Sequence, residues 1–231
     1  MWIQLIFWSA LLALGIVLGM ALIVYHAVER LGDASALFQG SQPPDPAEDS
    51  HWSKASDEAN TWAKSQGLKP FDCLKFYGLA EDHPVHIASW KEPTGAYYLV
   101  LYFFMEKTWF DITSILSTGG YMTTSNQRDA LTLPEAEDAY IQVFADVPLL
   151  NLYQRHQEGL HYLCQALKAQ TVLSPLSLRN LMVQAMEKQT THLKQQPFWY
   201  LNGATWYFGR RLLLNNKTIQ QVYPQDLLTS A

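Results

Sequence analysis

Apolar positions divide the chain into parts of very different character. From Trp2 to Tyr25 apolar residues follow one another with only Gln4 and Ser9 as polar interruptions, and His26 closes the run. A helix needs about 20 such residues to cross roughly 30 Å of hydrocarbon. Residues 1–28 hold no Asp, Glu, Lys or Arg and predict a single transmembrane helix. Trp2, Trp8 and Tyr25 lie toward its ends, where amphipathic rings favour the headgroup region. The rival reading is a cleaved signal peptide. No Lys or Arg precedes the apolar run, which is about twice as long as a signal peptide's apolar region. A small-x-small site exists at Ala34-Ser-Ala36, but Glu29, Arg30 and Asp33 separate it from the run. The expectation is a retained, single-pass signal-anchor.

Past the run the pattern becomes polar. Residues 29–49 include Gln42-Pro-Pro-Asp-Pro, have few large apolar groups, and predict a polar tether. Trp52, Ala55, Ala59, Trp62 and Ala63 then recur at helical spacing up to Gly67, which suits a helix C-terminus. That spacing predicts an amphipathic helix over 50–66. From residue 71 to 145 the signals are those of strands: 73–79, 85–90, 96–105, 108–116 and 121–125 are short, rich in aromatic and β-branched residues, and separated by turn residues. Gly119-Gly120 reads as hairpin turn chemistry. Such close spacing predicts an antiparallel meander of about five strands, because parallel neighbours need long crossovers. The run 96–105 is apolar on both faces and belongs in the middle of the sheet.

Residues 147–231 return to helices. Asp146 is placed to cap, Pro148 suits a first turn, and Leu149, Tyr153, His156, Leu160, Leu163 and Leu167 form one stripe. Ser174-Pro175 signals a second start, followed by Leu178, Met182 and Ala185. The fold expected is therefore α+β: an N-terminal transmembrane helix, then one domain (50–231) with an amphipathic helix, the meander, and two or three C-terminal helices.

Composition narrows the functional classes. Hydrophobic residues make up 48% and charged residues 16%, which excludes a disordered or multi-pass chain. A net charge of −5 argues against a nucleic-acid binder, which needs a basic surface. Charge is unevenly divided: 18 of the 21 acidic side chains fall within 29–146, whereas the 16 basic ones split evenly about residue 146. Either the basic helical half packs on the acidic half, or it faces anionic lipid or an acidic partner.

Candidate chemistry is sparse. His83 and His86 lie three apart, as do His161 and Cys164, but neither pair has the adjacent third ligand a zinc site needs. His156 sits on the apolar stripe, where a packed, hydrogen-bonded histidine is the usual occupant. Cys73 and Cys164 read as buried thiols, with a disulfide open if the domain lies outside the cytoplasm. Glu135, Glu137 and Asp138 cluster in a loop and read as solvated. Nucleophile elbows, phosphate loops and dinucleotide fingerprints are missing, which argues against an enzyme. No cofactor or metal is expected.

Two features point to lipid or partners. Gly15 and Gly19 form a G-x-x-x-G pair, which permits close helix approach and a homodimer, although glycine is common in spanning helices generally. The segment 198–214 is dense in aromatics and ends in paired arginines; Asn202 there could turn a hairpin or cap a helix. Either these rings complete the core, or Trp199 and Trp206 sit at headgroup depth with Arg210 and Arg211 on anionic lipid. The leading expectation is a non-catalytic interaction or assembly module held at the bilayer beside an unidentified protein partner. A pocket for an apolar ligand or lipid, and an enzyme with a dispersed site using His83, His86 or His161, are the alternatives. Arg30, the one basic residue near the apolar run, weakly favours a cytoplasmic domain and leaves the side undetermined.

Overall fold

The computed structural model describes residues 2–41, 50–78, 82–131 and 133–228. One unbroken helix, α1 (Trp2–Leu31), carries the apolar run. It is the single described helix long and apolar enough to cross a membrane. Its two parts meet different surroundings. Up to Gly19 every described side chain is exposed, whereas Ala21, Val24 and Val28 are buried in the body of the protein. The helix is thus a free apolar rod at one end, and at the other it turns one face to the core while Leu22, Ile23 and Tyr25 stay exposed.

Within the segment 29–49, residues 34–41 add a short helix, α2 (Ala34–Leu37), and an edge strand, β1 (Phe38–Gly40). Phe38 is buried and its ring lies 4.8 Å from that of Phe76, with which it pairs in register. The Pro-rich stretch at 42–49 lies outside the described residues. Helix α3 (Ser50–Ser65) follows, and Gly67 past its end takes φ 72.

A seven-stranded sheet then runs in strictly sequential order: β1, β2 (Lys69–Phe76), β3 (Val85–Lys91), β4 (Tyr98–Phe104), β5 (Lys107–Ile115), β6 (Tyr121–Ser125) and β7 (Ala139–Val143). The first six pair antiparallel, giving the predicted meander its five strands. The strands beyond the prediction are β1, which is very short, and β7, which runs parallel to β6. The connection 126–138 supplies the roughly dozen residues a parallel crossover requires.

Alternation along the strands sends side chains to two faces. On one, Leu99, Leu101, Phe103, Phe110 and Ile112 pack beneath α3 and α4 (Leu149–Leu167), with Trp52, Leu149 and Leu152 filling the layer. On the other, Leu74, Val85, Ile87 and Val100 meet α5 (Leu178–Lys194) through Leu178, Met182 and Met186. The start signals differ in detail from expectation. Asp146 does not cap α4: it takes φ 62 two residues before the N-cap, Pro148. Helix α5 starts later than Ser174-Pro175 suggests, at Ser177, whose side chain accepts a bond from Asn180 N–H.

The aromatic segment forms α6 (Trp199–Phe208), with Asn202 inside the helix, and a 3-10 turn at Arg210–Leu213. Two single-turn helices, α7 (Ile219–Val222) and α8 (Gln225–Leu228), close the described chain. Three of the five described ion pairs join the acidic part to the basic helical part: Lys188–Asp138, Lys194–Glu29 and Arg211–Asp129. The charge division is therefore used, at least in part, to pack one half of the chain on the other.

Candidate binding cleft between the sheet and helix 5

Helix α5 leans on β2, on α2 and on the lower part of α1 and α6. It leaves space above β4–β6, and there a cleft of about 400 Å³ opens between helix and sheet. That is within the range of roughly 300–1,000 Å³ typical of small-molecule sites. The floor comes from alternate residues of neighbouring strands, Tyr98, Val100 and Tyr102 of β4 with Asp111 and Thr113 of β5. The roof is Leu181, Met182, Ala185 and Met186 of α5. Helical spacing turns these four to one face, and the two methionines give the roof an adaptable surface. Two ties hold the roof: Gln189 Nε2 donates to the carbonyls of Leu133 and Pro134 at 3.1 Å, and Lys91 Nζ donates to Ser174 O at 3.2 Å.

Two polar atoms stand out in this apolar setting. Asp111 is cross-strand partner to Val100 and is among the residues lining the cleft, yet its Oδ1 is shut off from solvent and no described protein group donates to it. Burial pushes the carboxyl up to about 6, although the Ser125 and Tyr102 hydroxyls favour its ionised form. Tyr102 in turn stacks on Trp109 with ring centroids 5.3 Å apart. The Tyr98 hydroxyl is likewise buried without a partner, its ring held against Phe71 and under Lys91 Nζ. A buried polar group without a partner costs about 1–3 kcal/mol. Both atoms are covered by neighbouring side chains, so a ligand in the cleft could bond them only after those side chains shift.

On the opposite face, His156 of α4 is completely buried and forms a closed network. Ser114 donates to Ala96 O at 2.6 Å, so its oxygen accepts from His156 Nε2–H at 2.9 Å. Thr124 donates to Nδ1 at 3.0 Å and accepts from Gln142 Nε2 at 2.9 Å. Gln142 Oε1 accepts from Ile219 N–H. The tautomer that follows is Nε2–H, and burial holds the imidazole neutral by pushing it down to about 3. The Ser114–His156 contact is not a nucleophile pair, because the hydroxyl proton is committed to a carbonyl. Gly159 allows this approach: a Cβ there would lie 2.4 Å from Met122 Cε and 3.1 Å from Gln142 Nε2.

The remaining candidates are dispersed. His83 is exposed, His86 packs against Phe103 on β3–β4, and His161 bonds Gln165 at 2.9 Å on the outer side of α4, above β5 and β6. Among the described residues no three His, Cys, Asp or Glu side chains gather as a metal site would require. Cys73 and Cys164 are both free thiols, half-buried in different clusters, and burial pushes both up. Glu135 departs from the solvated reading of its loop: its Oε1 is buried without a bond and the carboxyl rises to about 8.

The membrane-directed candidates also separate. Trp2, Trp8, Gly15 and Gly19 lie on the exposed part of α1, and nothing approaches within 4 Å of a Cβ built on either glycine. Tyr25 stacks on Trp199 at 5.4 Å. Trp206 is buried and donates to Leu131 O, so its ring completes the core. Arg211 is engaged by Asp129 at 3.0 Å and lies over the Tyr207 ring, while Arg210 is exposed beside Trp206. Asp111 and Tyr98 went unnoticed in the sequence; Asp111, the one acidic residue of β5, was the available signal. Comparison with known proteins gives no match to any family model, curated protein or solved structure.

Proposed function

We propose that this chain is a single-pass, membrane-anchored binding domain whose cleft takes an elongated apolar molecule with one hydrogen-bond donor at its end, such as a long-chain alcohol. The observation that carries the reading is the cleft itself: about 400 Å³ beside the sheet, lined mainly by apolar groups, with Asp111 Oδ1 and the Tyr98 hydroxyl unpartnered just beneath the lining side chains, which must shift for a ligand to bond them. At neutral pH the Asp111 carboxyl is largely ionised, since it titrates near 6. It accepts from a hydroxyl and repels a carboxylate, and Lys188, a cation that also lines the cleft, is paired with Asp138, so an alcohol is preferred to the fatty acid of equal length. The exposed part of α1 holds the domain at the bilayer, where such molecules partition, and raises their effective concentration at the cleft.

The test uses the full chain in nanodiscs with a clickable long-chain alcohol carrying a diazirine. Labelled peptides should map to β4 and α5, and an excess of unlabelled alcohol should compete. Ala185→Trp, which fills the roof, should remove labelling there while leaving any on α1. Labelling confined to the exposed part of α1, unchanged by Ala185→Trp, would refute the cleft as a binding site.

A further inference from the structure

Helix α6 and the turn after it carry exposed apolar side chains that the fold does not use: Phe208 at 43%, Leu212 at 52% and Leu213 at 70%. The path of the chain along α1 shows where they end up. Lys194 pairs with Glu29 at 2.9 Å, Trp199 stacks on Tyr25, and a Cβ on Gly203 would meet Val24 Cγ1 at 2.6 Å. Each step forward in α5–α6 meets α1 nearer its N-terminus, so α6 runs back toward the free apolar rod. Five more residues from Gly203 reach Phe208, a rise of about 7.5 Å, which is the length from Val24 to Gly19. Met20 and Tyr207 accordingly belong to the same apolar cluster.

Gly19 is also the last residue before one face of α1 turns into the core, at Ala21, Val24 and Val28, while Leu22, Ile23 and Tyr25 stay exposed on the other face. The rod from Trp2 to Gly19 is about 27 Å long, close to the roughly 30 Å of a hydrocarbon core. Counting roughly 30 Å from Trp2 ends the hydrocarbon within about a turn past Gly19, close to the level reached by Phe208 and the 3-10 turn. Arg211 is held by Asp129, but Arg210 is exposed with no ion-pair partner among the described residues.

We propose that the tip formed by Phe208, Leu212 and Leu213 inserts into the headgroup region of the bilayer that α1 crosses, with Arg210 on the phosphate of an anionic lipid. The tip is a second point of attachment, and two attachments fix the orientation of the domain where one would let it swivel. This inference rests on α1 spanning the bilayer and is independent of what occupies the cleft.

The experiment places a nitroxide by cysteine substitution at Leu12, Phe198 or Leu213 of the full chain, in a background carrying Cys73→Ala and Cys164→Ala. Nanodiscs contain phosphatidylcholine with or without phosphatidylglycerol. Collision with oxygen, which concentrates in lipid, is compared with collision with a water-soluble nickel chelate. The Leu12 label supplies the oxygen-to-nickel ratio of a site within lipid, and the ratio for the Leu213 label should exceed that for the Phe198 label several-fold. Arg210→Glu should lower the Leu213 ratio only when phosphatidylglycerol is present. A Leu213 label open to nickel while the Leu12 label is in lipid overturns the tip and leaves the anchor standing. A Leu12 label open to nickel overturns the anchor beneath it. A Leu213 label shielded from both reagents means that protein, such as a second copy, covers the tip, and also overturns the proposal.

Discussion

Replacing His156 tests the buried network through its dependence on pH. The imidazole titrates near 3 in the folded chain against an ordinary 6.5, because its burial penalises the charged form. Between those values the unfolded chain binds a proton that the folded chain does not, so stability falls as pH falls through 6.5, and the loss is complete only below about 3. The full gap corresponds to on the order of 5 kcal/mol, and at pH 5 the loss is about 2 kcal/mol. Asp111 and Glu135 act in the opposite sense, since their raised carboxyls hold protons in the folded chain that the unfolded chain has released. Comparing parent and variant at one pH cancels both. His156→Leu keeps the volume, removes two hydrogen bonds and strands the Thr124 hydroxyl as a buried donor. It should cost about 2–4 kcal/mol at pH 8. At pH 5 the parent has lost its share, and the difference between the two should shrink by about 2 kcal/mol. Urea unfolding of the full chain in mild detergent, followed by near-ultraviolet circular dichroism at both pH values, measures this directly. An equal difference at pH 8 and pH 5 would refute the reasoning, because the imidazole would then not be held neutral.

Three further outcomes follow from particular contacts. Burial raises the Asp111 carboxyl to about 6, so a long-chain fatty acid should bind better at pH 5 than at pH 8 while the matching alcohol changes little. The fatty acid also takes up a proton over this range, so the share owed to Asp111 is the part of the difference that Asp111→Asn removes in competition against the diazirine alcohol. An unchanged difference in the variant would refute it. The β4–β5 hairpin turns through Met105 and Glu106 at φ 47 and 65, a conformation that favours Asn-Gly. Glu106→Gly should therefore stabilise the chain by about 1 kcal/mol in urea unfolding, and a loss of stability would show that the turn is not strained. Gly203→Leu drives a side chain into Val24 and should destabilise the chain by about 1–3 kcal/mol; Val24→Ala made together with it should restore part of that loss, whereas additive effects would place the two residues out of contact.

What could be read in the sequence was whatever depends on local period. The apolar run became one helix, the Trp52–Ala63 spacing became α3, and the His156 stripe became α4 with its histidine buried. The strands of the meander fell within a few residues of their expected limits because alternation and turn residues act on neighbours in sequence. Strand β1 was missed because three residues carry no period, and β7 because its parallel partner is fixed by a crossover and not by a turn.

The candidate site was legible only in its parts. In β5 the order Phe110-Asp111-Ile112 is enough to put Asp111 on the face away from Phe110 and Ile112, although the residue went unremarked and by itself that face reads as open to water. Only the docking of α5 over it makes the carboxyl a buried group in an apolar cleft. In the same way Arg210 and Arg211 are adjacent and chemically identical, yet one faces outward and the other is drawn onto Asp129. Sequence by itself determined which residues share a face, because the backbone repeat enforces it. What covers each face, and hence the charge state and partners of the groups on it, was decided by tertiary packing, since burial depends on elements far apart in the chain.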